Sequence, residues 1–180
     1  MTAMTAMPRT DWTVDDLDRL PDDGLRYELL DGTLLVSPAP SRLHQRAAFA
    51  LGILLDRSCP EGLEVIAAPL DWQPDNRTSL QPDLLVLANR DLASPAADST
   101  VLAVEVLSPS SRRKDAVYKF SKYQDEGVPS YWIIDPDAPS ITAYELVDGR
   151  YVVVGEATGA ATLTLERPFP VRITPADLIR

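Results

Sequence analysis

The sequence predicts an α/β domain whose central sheet is mixed, in the α+β manner, and flanked by helices. Three observations carry this. Over residues 101–134 an apolar run, a helical stretch and a second apolar run follow one another. That strand–helix–strand order implies a right-handed crossover and a parallel pair. Asp31-Gly32 separates two further apolar runs, the strongest short-range hairpin signal. A helical pattern of apolar residues runs from about Arg42 to Arg57. With 180 residues, 45% hydrophobic and 24% charged, the chain suits a single globular domain over 1–180.

The elements follow in order. Residues 1–10 have no hydrophobic period and are expected to form a flexible tail. Thr13 and Asp16 make a helix-start signal for a short acidic helix to about Leu20, which Pro21-Asp22-Asp23-Gly24 ends. Tyr27–Leu30 and Thr33–Val36 are the hairpin arms, closed off by Ser37-Pro38-Ala39-Pro40. Ser41 is an N-cap for the helix to Arg57, with Ala47, Ala48, Leu51, Leu54 and Leu55 at helical spacing. Leu63–Ala68 and Leu70–Gln73 read as strands, and Asp83 immediately precedes the strand Leu84–Leu87. A polar loop, 89–100, leads to the strand Val101–Leu107, which Ser108-Pro109 breaks. A helix over 113–126 stops at Gly127, and Pro129 precedes the strand Tyr131–Ile134. Extra C-terminal strands are expected at Ile141–Val147 and Tyr151–Val154 about Asp148-Gly149, then at Thr162–Glu166 and Val171–Ile173, with a short helix from Pro175. No internal repeat or linker divides the chain.

Charge and composition narrow the function. The net charge of −10 opposes non-specific attraction to nucleic acid or anionic membrane. The acid is uneven: much of it lies in Asp11–Asp31, whereas within Glu105–Tyr123 basic residues outnumber acidic ones five to two. No apolar run approaches the roughly 18 residues of a membrane span, and no signal-peptide pattern is present. A cytoplasmic protein with no membrane partner is expected. One cysteine, Cys59, and one histidine, His44, exclude an internal disulfide and a zinc cage. Cys59 reads as an ordinary helix-end residue. Gly-rich phosphate loops, Gly-x-Ser-x-Gly, paired Cys-x-x-Cys and His-Glu-x-x-His are all missing. A hydrolase triad would have to use His44, which has no Ser-Asp support nearby.

Carboxylates in apolar surroundings are the informative feature. On the strand Val101–Leu107, Leu102, Val104 and Val106 share one face, while Val101, Ala103, Glu105 and Leu107 share the other. Neither face reads as solvated, so Glu105 needs a partner or a cation. A salt bridge or a strand end reaching water is the competing explanation. Asp83 stands at the mouth of another apolar strand; alone it reads as a turn or cap residue. Together the two carboxylates suit a hard divalent cation, because magnesium takes one or two carboxylates and keeps waters. On the helix that follows, Ala116, Phe120, Tyr123 and Val117 define the core face by their angles. Lys119 falls on its border, where it could bury its stem and turn its ammonium to a neighbouring site. Ordinary snorkelling is the alternative for Lys119. Lys122 points further out and, with Arg112, Arg113 and Lys114, reads as solvated or phosphate-contacting.

Several short pieces occur in a characteristic order: Tyr27-Glu28-Leu29-Leu30-Asp31-Gly32, Ser37-Pro38-Ala39-Pro40, Gln81-Pro82-Asp83-Leu84-Leu85-Val86, Val104-Glu105-Val106-Leu107-Ser108-Pro109-Ser110, Lys119 with Tyr123, and Gly127–Pro136. Together they resemble the bacterial Uma2 family of restriction-endonuclease-like proteins, from about Tyr27 to Tyr151. The family belongs to the PD-(D/E)XK nuclease superfamily, and the resemblance implies that superfamily's core of a mixed sheet flanked by helices. It also implies Asp83 and Glu105 as metal ligands, with the Val106 main-chain carbonyl as a further contact to Mg²⁺ or Mn²⁺. Leu107 stands where the superfamily's lysine belongs, and Lys119 on the following helix is the matching position. Glu28 matches a recurring family glutamate that could complete the metal site or orient a water. His44 and Gln45 match a frequent His-Gln pair. The implied activity is metal-dependent endonucleolytic hydrolysis of DNA, with catalytic Asp83, Glu105, Lys119 and Glu28, and with Arg112, Arg113, Lys114 and Lys122 on the DNA backbone. DNA binding is expected to be weak and metal-dependent, and a homodimer is consistent with the resemblance.

Two other readings compete. A nuclease-like module without catalysis could bind nucleic acid or a partner protein; the acidity and Leu107 favour it, whereas Asp83, Glu105 and Lys119 together oppose it. A structural or assembly protein would use the apolar C-terminal strands and Trp132 as an interface, although Trp132 reads first as core.

Overall fold

The structure, a computed structural model, describes residues 10–88, 95–108 and 118–180. A short helix, α1 (Val14–Leu17), is followed by the hairpin β1 (Arg26–Leu30) and β2 (Thr33–Ser37), and by the long helix α2 (Arg42–Ser58). Strands β3 (Glu64–Ala67), β4 (Trp72–Asp75), β5 (Thr78–Leu80) and β6 (Leu84–Leu87) come next. The short helix α3 (Ala96–Ser99) runs into β7 (Thr100–Val106), and α4 (Phe120–Asp125) leads to β8 (Ser130–Asp135). The chain ends with β9 (Ser140–Val147), β10 (Arg150–Thr158), β11 (Leu163–Leu165), β12 (Val171–Ile173) and a 3-10 turn at Pro175–Ile179.

The central sheet has six strands in the order β10-β9-β8-β7-β6-β3. Only β7 and β8 run parallel, as the strand–helix–strand pattern requires; the other pairs are antiparallel. Strand β7 is buried on both faces. Leu102, Val104 and Val106 enter one core with Ala47, Leu51 and Leu55 of α2, and with Trp132 and Ile134 of β8. Ala103 enters a second core with Tyr123, Tyr131, Leu85 and Leu87. A smaller antiparallel sheet, β2-β1-β5-β4, supplies Trp72 and Leu80 to that second core. Leu51, Leu55 and Leu102 are wholly buried, and each contributes about 1.5–3 kcal/mol relative to exposure.

Local signals hold where short-range chemistry decides. Asp31 and Gly32 both take positive φ, 48° and 80°, which matches the turn to the twist of its strands. The Ser41 hydroxyl accepts the His44 N–H at 3.2 Å and starts α2. The Thr13 N–H donates to the Asp16 carboxylate at 3.1 Å, although α1 stops at Leu17 rather than Leu20. Cys59 caps α2, its N–H reaching the Asp56 carbonyl. Strand β5 is not legible in the sequence, because three residues are too few to show alternation. Strand β10 is longer than expected and carries a bulge between Val153 and Gly155. Of the expected helix over 113–126, residues 113–117 lie outside the described residues, as do 89–94 of the polar loop. No helix among the described residues is long and apolar enough to cross a membrane.

The hairpin turn is sterically closed: a Cβ on Gly32 would lie 2.6 Å from the Thr10 carbonyl oxygen. Gly32→Ala is expected to lower the unfolding free energy by about 2 kcal/mol in urea titration, through the positive φ and this overlap together.

Candidate active site

Polar side chains converge where the two sheets meet. Glu28 comes from β1, Asp83 from the entry to β6, Glu105 from β7 and Lys119 from the residue before α4; their exposures are 4%, 5%, 2% and 2%. Strand register explains the first contacts. Leu84 pairs with Val104, so Asp83 lies beside Glu105 on the neighbouring strand, its N–H donating to the Val104 carbonyl at 3.0 Å. The Asp83 Oδ2 accepts the Val106 N–H at 2.7 Å and lies 3.2 Å from His44 Nε2. His44 is buried on the first turn of α2, where the Ser41 cap fixes it.

Lys119 joins the other two carboxylates. Its Nζ donates to Glu28 Oε1 at 2.9 Å and to Glu105 Oε1 at 3.0 Å. The Tyr123 hydroxyl also donates to Glu105 Oε1, at 3.1 Å, and the Gln81 N–H donates to Glu28 Oε1 at 2.8 Å. Lys119 and Tyr123 are one helical turn apart, which lets both reach the same carboxylate. Arg26 completes the group with ion pairs of 3.6 Å to Asp83 and 3.8 Å to Glu28.

These charges set the acidities. Burial alone would raise the pKa of Glu28; the Lys119 and Arg26 charges and the Gln81 N–H overcome it and hold the group below its ordinary 4.5. Burial is likewise outweighed at Asp83 by His44, Arg26 and the Val106 N–H, which keep it below its ordinary 3.8. Tyr123 is pushed well above its ordinary 10.0 by burial and by Glu105, so it keeps its proton and remains a donor.

An open cleft of about 1000 Å³ reaches this group. Arg26, Gln45, Gln81 and Asp83 line it, beneath apolar walls that include Phe49 and Ile53. Glu105 and Lys119 lie deeper.

The structure therefore brings together Asp83, Glu105, Lys119, Glu28 and His44, and places Gln45 in the cleft. Val106 contributes its N–H to Asp83. Lys122 goes elsewhere, which corrects the expectation of a solvated or phosphate-contacting side chain. It is only 9% exposed, and its ammonium is held by Asp31 at 2.9 Å, Asp75 at 3.0 Å and Glu126 at 2.9 Å. Arg112, Arg113 and Lys114 lie outside the described residues. Sequence reasoning missed Arg26, although it stands two residues before Glu28 on one strand and so shares its face.

The donor set suits a hard cation. Asp83 and Glu105 offer carboxylate oxygens from adjacent strands, and three carboxylates face one lysine and one arginine. Among the described residues no group of three His, Cys, Asp or Glu side chains is gathered to hold a metal by itself. Magnesium does not need one, since it is commonly held through one or two carboxylates and water.

Comparison with known proteins places the chain in a family. The profile described as "Uma2: Putative restriction endonuclease" matches residues 14–177, and the chain belongs to the Uma2 family. Among solved structures, the chain is similar to a putative nuclease belonging to DUF820 from Anabaena variabilis ATCC 29413. The two share 17% identity with a TM-score of 0.69, over 93% of this chain and 97% of that one. This likeness is one of fold. A comparison with curated proteins returns no match.

Three outcomes follow for stability. Lys119→Met takes from two buried carboxylates the cation they share and is expected to cost about 3–5 kcal/mol in urea titration. Lys122→Met, whose partners Asp31 and Asp75 are 70% and 42% exposed, is expected to cost about 1 kcal/mol or less. Because Glu28 and Asp83 are more acidic when folded, their stabilisation is complete above the ordinary carboxylate range and is lost as pH falls through their folded values. The urea midpoint should be lower below about pH 4 than at pH 6, and Glu28→Gln should flatten that fall.

Proposed function

We propose that this protein is a metal-dependent nuclease that hydrolyses phosphodiester bonds of DNA. The observation that carries the reading is the convergence of Asp83, Glu105, Glu28 and Lys119 from four separate elements into one buried group at an open cleft. Membership of the Uma2 family and the shared fold support it.

Asp83 and Glu105 would hold Mg²⁺ or Mn²⁺, with the Val106 main-chain carbonyl as a further oxygen. When bound, such an ion polarises the phosphate and lowers the pKa of a coordinated water. The chain's own residues then have separate tasks. The Val106 N–H and His44 orient Asp83, and Tyr123 orients Glu105. Lys119 donates to charge developing on the phosphate oxygens or positions the attacking water. Glu28 holds that ammonium in place and can orient a water. Arg112, Arg113 and Lys114, between Glu105 and Lys119 in the chain, would hold the flanking backbone. The net charge of −10 makes DNA binding weak, salt-sensitive and dependent on the ion.

Purified protein with Mg²⁺ or Mn²⁺ is expected to nick plasmid DNA, and Asp83→Ala or Glu105→Ala to lower the rate by about three orders of magnitude or more. Calorimetric Mn²⁺ binding should weaken in Glu105→Gln. Nicking that survives both alanine substitutions would overturn the assignment.

A further inference from the structure

Arg26 is the one cationic side chain among the described residues that line the cleft, where it meets Asp18, Asp22, Asp56, Asp71 and Asp83. Its neighbours do not satisfy it. The nearest carboxylate oxygens, on Asp83 and Glu28, are 3.6 and 3.8 Å away, longer than hydrogen bonds. Its Nε and Nη2 are closed to solvent and have no hydrogen-bond partner among the described residues. Buried donors without acceptors are costly, so the position calls for an acceptor that the protein does not supply.

The identity of the two atoms selects the ligand. Nε–H and one Nη2–H lie on the same edge of the planar guanidinium and point in parallel, a fork that matches two oxygens of one tetrahedral or carboxylate anion. Nη1 faces Asp83 on another edge. As it stands Nη2 faces Glu28, so the fork meets an anion in the cleft only when the guanidinium turns. The side chain is 21% exposed and its pairs to Asp83 and Glu28 are longer than hydrogen bonds, which leaves it that freedom. Asp83 and Glu28 oppose any anion here, so the fork has to offset them, and it is the nuclease reading that selects a phosphate ester over a carboxylate.

We propose that the Nε/Nη2 edge of Arg26 is a phosphate-binding fork, donating two parallel hydrogen bonds to oxygens of a phosphate ester that enters the cleft beside Asp83. That this phosphate is part of a DNA backbone rests on the nuclease reading; the fork itself does not. Arg26 lines the cleft, whereas Lys119, paired with Glu28 and Glu105, does not.

The test uses inorganic phosphate as probe, titrated at constant ionic strength and followed by calorimetry and by thermal shift. Wild-type protein should bind phosphate, Arg26→Met at least about tenfold more weakly, and Arg26→Lys, which keeps charge but loses the fork, about threefold more weakly. A labelled oligonucleotide in Ca²⁺ should rank the three proteins in the same order. Equal phosphate binding by wild type and either variant, or none by wild type, would overturn the fork. Should Arg26→Met not fold, Arg26→Lys decides alone. Phosphate binding through Arg26 without any plasmid nicking keeps the fork and rejects the nuclease reading.

Discussion

The ammonium of Lys119, held between Glu28 and Glu105, is the contact on which the site depends. Glu28 belongs to the small sheet and Glu105 to the central one, so a single buried cation joins the two sheets to the segment that begins α4. Both carboxylates are buried, and this ammonium is the cation that pairs with both of them. Its position also fixes Tyr123, whose ring packs against Trp72 and Tyr131 in the second core while its hydroxyl serves Glu105. Apolar packing and charge placement are thus the same constraint seen from two sides.

Around that contact the polar groups are arranged by depth. Glu105, Tyr123 and Lys119 are innermost; Asp83 and Arg26 face the cleft; His44 supports Asp83 from α2. The long helix therefore has two tasks, filling one core with Ala47, Leu51 and Leu55 and presenting His44 from its capped first turn. An excess of carboxylate over cation remains at the cleft side, which would oppose the approach of an anion. The fork proposed on Arg26 would offset that opposition.

Much of this was legible because Glu105 violates the pattern of its own strand. Both faces of β7 are apolar, and the structure buries both, so a charged residue there had to be explained. Lys119 was legible through its angle on the helix, and Asp83 through its place before an apolar strand. Glu28 was reached only through family resemblance, since an alternating strand on a hairpin gives a carboxylate no special standing. Lys122 shows the limit of angular reasoning: an outward angle on α4 does not reach solvent when the turns holding Asp31 and Asp75 cover that face. Arg26 escaped notice for a related reason. An arginine at the start of a strand near an acidic segment looks solvated until the cleft around it is known.

The sequence by itself determined the elements whose causes are local: the positive-φ turn at Asp31-Gly32, the Ser41 cap, the parallel pair separated by a helix, and the presence of carboxylates that apolar strands cannot leave unpaired. The tertiary structure decided which charge meets which. Lys119 and Glu28 are 91 residues apart in the chain, as are Lys122 and Asp31. Alternation and helical angle state only the side of an element on which a group stands. An ion pair forms only when two elements bring opposite charges within a few ångströms and exclude the water that would otherwise screen them.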